Sequence, residues 1–503
     1  MKKQLFISFA LAATFLASAQ QKNALLEQSF WKTTPDVSAV QAEIAKGNNP
    51  SESNNRAFDA VVMAINNDAP NSTIKFLLEQ AGNPVTKSTH DNRRYLHWAA
   101  NKGNAEIVNY LISKGADINY EDSLGTTALA LAASSGQKNT AVYDAFFKAG
   151  LDPKKKYKDD VTLLLMAIPY DKDLSLTNYF ISKGLSLKDT DKDGNTPFNY
   201  AAKTGDLNLL KTLVEKGVKY NDNALIIAAQ GNRRETNPIE VYQYLVETLK
   251  LKPTVLSPDG ETVFHFLVTK PKQTEIINYF IAKGADVNKA DKQGNTVLMK
   301  AASARENTEA LELLLPIVKN STALNVKGES ALTIAVQSGT PKAVEILLSN
   351  GADAKIINKE GNNLAVYLVQ SYRPQMNRGP EGGNTPKQDP FEVKMKLLQN
   401  KGLDFAAPQK DGSTLYHFAL LKNDLTLLKK IADLKIDINA KNKEGVTALH
   451  KAAMVAKDDA ILKYLISIGA KNDIKTEFDE TAYALAKENE TLTKNNISVE
   501  FLK

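Results

Sequence analysis

No cysteine occurs among the 503 residues. This excludes disulfides, thiol chemistry, a cysteine-attached lipid and any cysteine-ligated metal site. A dominant charge is also lacking: 63 basic and 57 acidic residues give a formal charge of +6. Without Lys2 and Lys3, 61 basic residues face 57 acidic ones, or +4. A surplus that small, with both signs mixed along the chain, makes no case for nucleic acid. Long apolar runs are missing beyond the N-terminus, so no membrane span is expected in the mature chain. Disorder is excluded too, because 43% of residues are hydrophobic and 24% charged.

The N-terminus reads MKKQLFISFALAATFLASAQ. Lys2 and Lys3 precede an apolar run from Leu5 to Leu16, and Ala17-Ser18-Ala19 supplies small residues for cleavage. That pattern predicts a secretory signal peptide over residues 1–19, with the mature chain starting at Gln20. The run is too short to span a bilayer. Export without cysteine points to a bacterium, with the periplasm as the first expected compartment and full secretion the second.

Self-similarity is present throughout. Gly47, Gly82, Gly115, Gly150, Gly184 and Gly217 each follow a helical stretch, at spacings of 33 to 35 residues. The series resumes at Gly284, Gly351 and Gly469, with Gly402 out of step at 51 residues after Gly351. A second series, Gly125, Gly194, Gly260, Gly294, Gly328, Gly361, Gly412 and Gly445, marks repeat starts. GTTALALAASSG begins at Gly125, GNTPFNYAAKTG at Gly194 and GVTALHKAAMVA at Gly445. Matching ends are NYLISKGADIN, Asn109 to Asn119, and NYFIAKGADVN, Asn278 to Asn288.

These segments resemble the ankyrin repeat, G-x-T-P-L-H-x-A-A-x-x-G followed by a second helix and G-A-D-V-N. The resemblance extends over about residues 30 to 503 and implies an all-α solenoid in an exported bacterial member of that family. By register the chain holds 12 complete repeats with a partial one at each end. The residues supply the physical basis. Ala-Ala pairs such as Ala99-Ala100 keep the first helix narrow, and Ile107, Val108, Leu111 and Ile112 form an apolar stripe on the second. One unit cannot bury both faces, so stability must come from stacking. The expected organisation is a cap over 20–56, repeats over 57–478 and a polar capping half-repeat over 479–503.

Two departures stand out. Ser371 to Pro390, SYRPQMNRGPEGGNTPKQDP, is a Pro- and Gly-rich surplus between the two helices of one repeat. A smaller one, Gly231 to Pro238, occupies the same connection in an earlier repeat. The unit near Asn221 lacks the usual glycine and threonine, so a bend is expected over 221–259.

Catalytic and metal signals are weak. His97, His265, His417 and His450 share one slot of the repeat, which makes them structural because metal ligands must converge on one point. Asp189, Asp191 and Asp193 with Gly194 match the start of a calcium loop, but Tyr200 stands where a bidentate glutamate belongs. Lys203-Thr204-Gly205 falls in a repeat slot, and Gly379 to Lys387 lacks a phosphate-loop ending. No catalytic residue and no cofactor are expected.

The resemblance implies a protein-binding surface made of turn tips and first helices. By register the tips include Lys192, Asp193 and Asn195, then Lys292, Gln293 and Asn295, and Lys359, Glu360 and Asn362. In the long insertion, Tyr372, Arg373 and Arg378 are residue types favoured at binding hot spots. The expected function is a monomeric exported scaffold for a protein partner. The alternatives are an effector acting on a host protein, or an accessory of a periplasmic enzyme such as catalase.

Overall fold

The computed structural model describes residues 22–232, 236–305, 308–374 and 388–503. The expected leader over 1–19, Arg378 and most of the long insertion lie outside the described residues. Within them the chain is helix and turn, with isolated β-bridges such as Glu121 to Thr127 and Ile357 to Asn363 but no strand. No described helix is long and apolar enough to cross a membrane.

The helix pair Tyr95–Lys102 and Ala105–Ser113 shows how one repeat is built. The first helix is buried from Tyr95 through Ala100. A short helix buried on nearly all sides needs neighbours before and after it as well as its own partner behind. The second helix buries Ile107, Val108 and Leu111 and leaves its other face polar. Gly103 (φ +81°) and Gly115 (φ +85°) end the two helices in the left-handed conformation. Several first helices start at threonine caps, as where Thr127 accepts from Ala130 N and Thr447 from His450 N.

Twelve such pairs run from Ala60–Asn66 with Asn71–Leu78 to Ala448–Val455 with Ala460–Ser467, which agrees with the register read from the glycines. Two interruptions of the second-helix glycine series have a direct cause. Lys250 (φ +59°) and Lys435 (φ +54°) adopt the left-handed conformation themselves, at a cost of roughly 1–2 kcal/mol each.

Short additional helices stand at both ends of the array. Before Val37–Ala45 stand the short helices Ala24–Leu26 and Gln28–Trp31, where fully buried Trp31 donates from Nε1 to the Leu25 carbonyl at 2.8 Å. After Ala482–Glu488, the helix Glu490–Lys494 and the turn Glu500–Leu502 bury Leu492 and Leu502.

The chain divides into two compact units. One comprises Met1–Ala201 with Lys211–Lys219, the other Ala202–Leu210 with Tyr220–Lys503. The second contains both surplus segments. Its helix Asn223–Gln230 begins without a turn tip, the Asn221 side chain accepting from Asn223 N at 3.0 Å. The next helix, Ile239–Gln243, continues into a wider π turn at Tyr244–Thr248.

Candidate protein-binding surface

Many turns are built around one acid or amide, and Ser257 and Thr476 supply a hydroxyl at the same place. Asp291 accepts through Oδ1 from Gln293 N (3.0 Å) and Asn295 N (2.7 Å), and through Oδ2 from Asn295 Nδ2 (2.9 Å). Asn325 accepts from Lys327 N and Glu329 N, and Asn442 from Glu444 N and Val446 N. These side-chain acceptors hold the backbone in a tight reversal that exposed solvent would otherwise loosen. Successive tips are then joined by backbone bonds. In the first unit Lys192 N donates to Asp159 O at 2.9 Å. In the second, Lys292 N donates to Asp259 O (2.8 Å), Val326 N to Gln293 O (2.9 Å) and Lys359 N to Lys327 O (3.0 Å). The result within each unit is a row of tips with a fixed backbone.

This construction separates the expected tip residues into two groups. Lys192, Asp193, Lys292, Gln293, Lys359 and Glu360 are exposed. Asn195, Asn295 and Asn362 are half-buried. Asn195 and Asn295 are turned back onto the turn, each amide donating to its aspartate, Asp191 or Asp291. Asn295 Oδ1 also accepts from Asn325 Nδ2 of the next turn at 3.0 Å. Those amides hold the surface in shape rather than offering contacts of their own.

The calcium-like sequence is such a turn. Asp191 is buried, and its carboxylate accepts from Asp193 N, Asn195 N, Asn195 Nδ2 and Tyr200 Oη. Asp189 accepts from Ser186 N at 3.1 Å. Tyr200, which stands in the glutamate position, donates to the carboxylate a cation would need. The arrangement uses these acceptors internally and gathers no ligand set.

The four slot histidines each span two repeats. Nδ1 of His97, His265, His417 and His450 accepts from the backbone N–H at the start of its own helix, at 3.0 to 3.3 Å. Nε2 of each lies 2.9 to 3.2 Å from a carbonyl of the following repeat: Thr126, Asn295, Val446 and Ile474. A carbonyl only accepts, so Nε2 carries the proton and the rings are neutral donors. Burial is the main cause that holds all four below the usual histidine range.

The family model described as ankyrin repeats (3 copies) matches residues 60–157, 163–255 and 264–358. A second, described as ankyrin repeats (many copies), matches 416–466, and together they cover more than half of the sequence. The chain belongs to the ankyrin-repeat family. Among similar proteins, the NAD-dependent deacetylase sir2B of Dictyostelium discoideum is 23% identical over 463 residues, 87% of this chain and 50% of that protein. Human transient receptor potential cation channel subfamily A member 1 is 29% identical over 408 residues, 79% of this chain and 32% of that one. Palmitoyltransferase AKR1 of Lachancea kluyveri is 31% identical over 151 residues, 30% of this chain and 20% of that one. The chain therefore spans half or less of the length of these relatives. The crystal structure of the ankyrin repeat domain of Bcl-3 aligns over 47% of this chain and 99% of its own, at 20% identity and a TM-score of 0.35.

In the ankyrin repeat that carries the long insertion, both described ends of the surplus are anchored. Tyr372 is 6% exposed, its ring edge-on to Phe391 at 5.6 Å and its hydroxyl 3.4 Å from Asp424 Oδ1. It is a root of the loop and not an exposed anchor for a partner, which corrects the role expected from its type. Arg373 is exposed, with Nη1 donating to the Gln370 (3.3 Å) and Tyr372 (3.2 Å) carbonyls. Asp389 caps the helix Pro390–Asn400 through Phe391 N and is bridged by Lys430 at 2.9 Å.

Sequence reasoning missed three lysines that close first helices of this ankyrin array. Lys270 donates to the Ala229 carbonyl at 2.9 Å and also to Gln230 O. Lys394 donates to Val336 O (2.9 Å) and Ala335 O (3.2 Å), and Lys422 to Gln370 O (2.9 Å). Lys270 and Lys422 serve the two repeats with surplus connections. Burial, then the charges of Lys203 and Arg305, bring Lys270 and Lys394 down to about 8. No local pattern marks these residues, because each caps a helix 40 to 59 positions away.

Proposed function

We propose that this chain is an exported, non-catalytic scaffold that holds a protein partner at its turn tips, which form a row within each compact unit. The observation that carries the reading is the division of labour in these turns. Acids and amides such as Asp191 and Asp291 fix the backbone, while Lys192, Asp193, Lys292, Gln293, Lys359 and Glu360 are exposed, with Lys192 bridged to Asp159 of the preceding tip and Glu360 accepting from Asn362. A rigid backbone presenting variable polar side chains loses little conformational entropy on binding. The histidines support the second half of the reading: the repeat slot accounts for four of the five, and each of the four has a hydrogen-bonding partner at both ring nitrogens. Export rests on Lys2, Lys3, the run Leu5 to Leu16 and Ala17-Ser18-Ala19, and the compartment proposed is the periplasm.

Two measurements test this. N-terminal sequencing of protein from its native cell is expected to begin at Gln20, and a cytosolic chain with intact Met1 refutes export. For binding, K292E/K359E is compared with wild type in affinity capture from a periplasmic extract, read by mass spectrometry. Loss of a specific captured protein with an unchanged thermal melt supports the tip row. Equal capture by both moves the binding surface elsewhere.

A further inference from the structure

Beside the root of the long insertion, within the second unit, lies a cleft of about 660 Å³. Its walls include Arg305, Gln337, Gln370, Arg373, Asp389 and Lys394. Its volume falls in the range of ligand-sized clefts, about 300–1,000 Å³.

The charges in this cleft do not balance. Arg305 and Arg373 are exposed and have no carboxylate within ion-pair distance among the described residues. The carboxylate on the wall, Asp389, is already bridged by Lys430 and caps a helix. Lys394 is 5% exposed. Two of its three ammonium donors serve Val336 O and Ala335 O, leaving one without a partner among the described residues. Gln337 Nε2 donates to Gln370 Oε1 at 3.1 Å, which orients the Gln370 amide group. The helix Ala331–Ser338 ends at the cleft, and Lys394 neutralises the carbonyls that would repel an anion there. Just behind, Lys422 carries a further charge beside Arg373.

We propose that this cleft receives an acidic segment of the protein partner, with Arg305 and Arg373 as the forks that grip its carboxylates. The inference rests on the scaffold reading above and adds to it a second contact point of defined chemistry. Two guanidinium forks flanking a buried ammonium suit carboxylates on one short segment, since each fork can bind a carboxylate through two parallel N–H bonds. A nucleic-acid backbone is disfavoured because the whole chain is only +6, with both signs mixed along it.

The test uses the full mature chain and a fluorescein-labelled peptide of alternating aspartate and glutamate, read by anisotropy. The variants are R305A/R373A and, as a control, K292A/K359A on the tips. The expected result is saturable binding that R305A/R373A weakens by about tenfold or more, as loss of charge-assisted bonds predicts, and that K292A/K359A leaves unchanged. Thermal melts of both variants must match wild type, and R305K/R373K, which keeps charge without the fork, is expected to rescue only part of the affinity. No saturable binding, or equal weakening by the tip variant, overturns the proposal. Displacement of the peptide by inorganic phosphate or a single-stranded oligonucleotide at lower concentration than by unlabelled peptide overturns the assignment of an acidic protein segment. Failure here, with extract capture still dependent on Lys292 and Lys359, removes the cleft alone. Loss of tip dependence with peptide binding intact removes the tip reading alone.

Discussion

Lys394 Nζ lies 2.9 Å from the Val336 carbonyl oxygen, although 58 residues separate the two. The lysine belongs to the second helix of one repeat and the carbonyl to the end of the first helix of the repeat before. A helix end leaves carbonyls without partners, and an ammonium delivered from a neighbour satisfies them while complementing the helix dipole. Lys394→Met keeps the aliphatic stem and deletes the donor. It is expected to destabilise the fold by about 1–3 kcal/mol, the cost of buried acceptors left unpaired. Urea unfolding of the mature chain measures this, and an unchanged midpoint would show that water replaces the ammonium there.

Acid should weaken the stack in a defined window. His97, His265, His417 and His450 are held below 6.5, chiefly by burial. The unfolded chain takes up protons at these rings below about 6.5 while the folded chain resists them, so stability is full above that pH and falls as pH drops through it. Urea midpoints at about pH 7.5 and about pH 5.5 are expected to differ in that direction. His417→Gln, which removes one titrating ring, is expected to flatten the difference while lowering stability at both pH values. A midpoint that rises on acidification would contradict the buried, neutral assignment.

Two glycines separate strain from space. Gly115 has φ +85° and nothing within 4 Å of where a Cβ would stand. Gly115→Val is therefore expected to cost only backbone strain, roughly 1–2 kcal/mol. Gly339 has an ordinary φ of −82°, yet a Cβ there would sit 2.2 Å from the Ala302 backbone oxygen. Gly339→Ala must push two repeats apart and is expected to cost about 1–3 kcal/mol. Differential scanning calorimetry of the two variants checks both, and a neutral Gly339→Ala would mean that the repeats slide without penalty.

The turn acids make a third comparison. Asp291→Ala removes three acceptor contacts at one tip, and about 1–3 kcal/mol of stability is expected to go with them. Asp291→Asn, which keeps Oδ1, is expected to recover most of that loss. Amide hydrogen exchange at Gln293 and Asn295 reports the site directly, because their N–H groups lose protection only if the carboxylate is their acceptor.

Much of this molecule can be read from its residues alone. The period of 33 to 35 between glycines, the paired alanines and the apolar stripe Ile107, Val108 and Leu111 define the helix pairs, because helix ends and apolar faces are local properties. The turn acids and amides carry a mark in the sequence as well, although sequence reasoning missed it: Asp122, Asp191, Asp291, Asn325, Asn358 and Asn442 each stand three residues before a repeat glycine. Other features were decided by packing between repeats. Tyr372 looks like a surface anchor by type, but Phe391 from the far side of the insertion closes over it. Lys250 and Lys435 take the left-handed conformation without glycine, where no residue type marks it. Lys394 reads as one more surface lysine until the repeat before it supplies Val336 O. Local sequence sets where each helix starts and stops, whereas burial and the partners of a polar group depend on atoms brought together only by stacking.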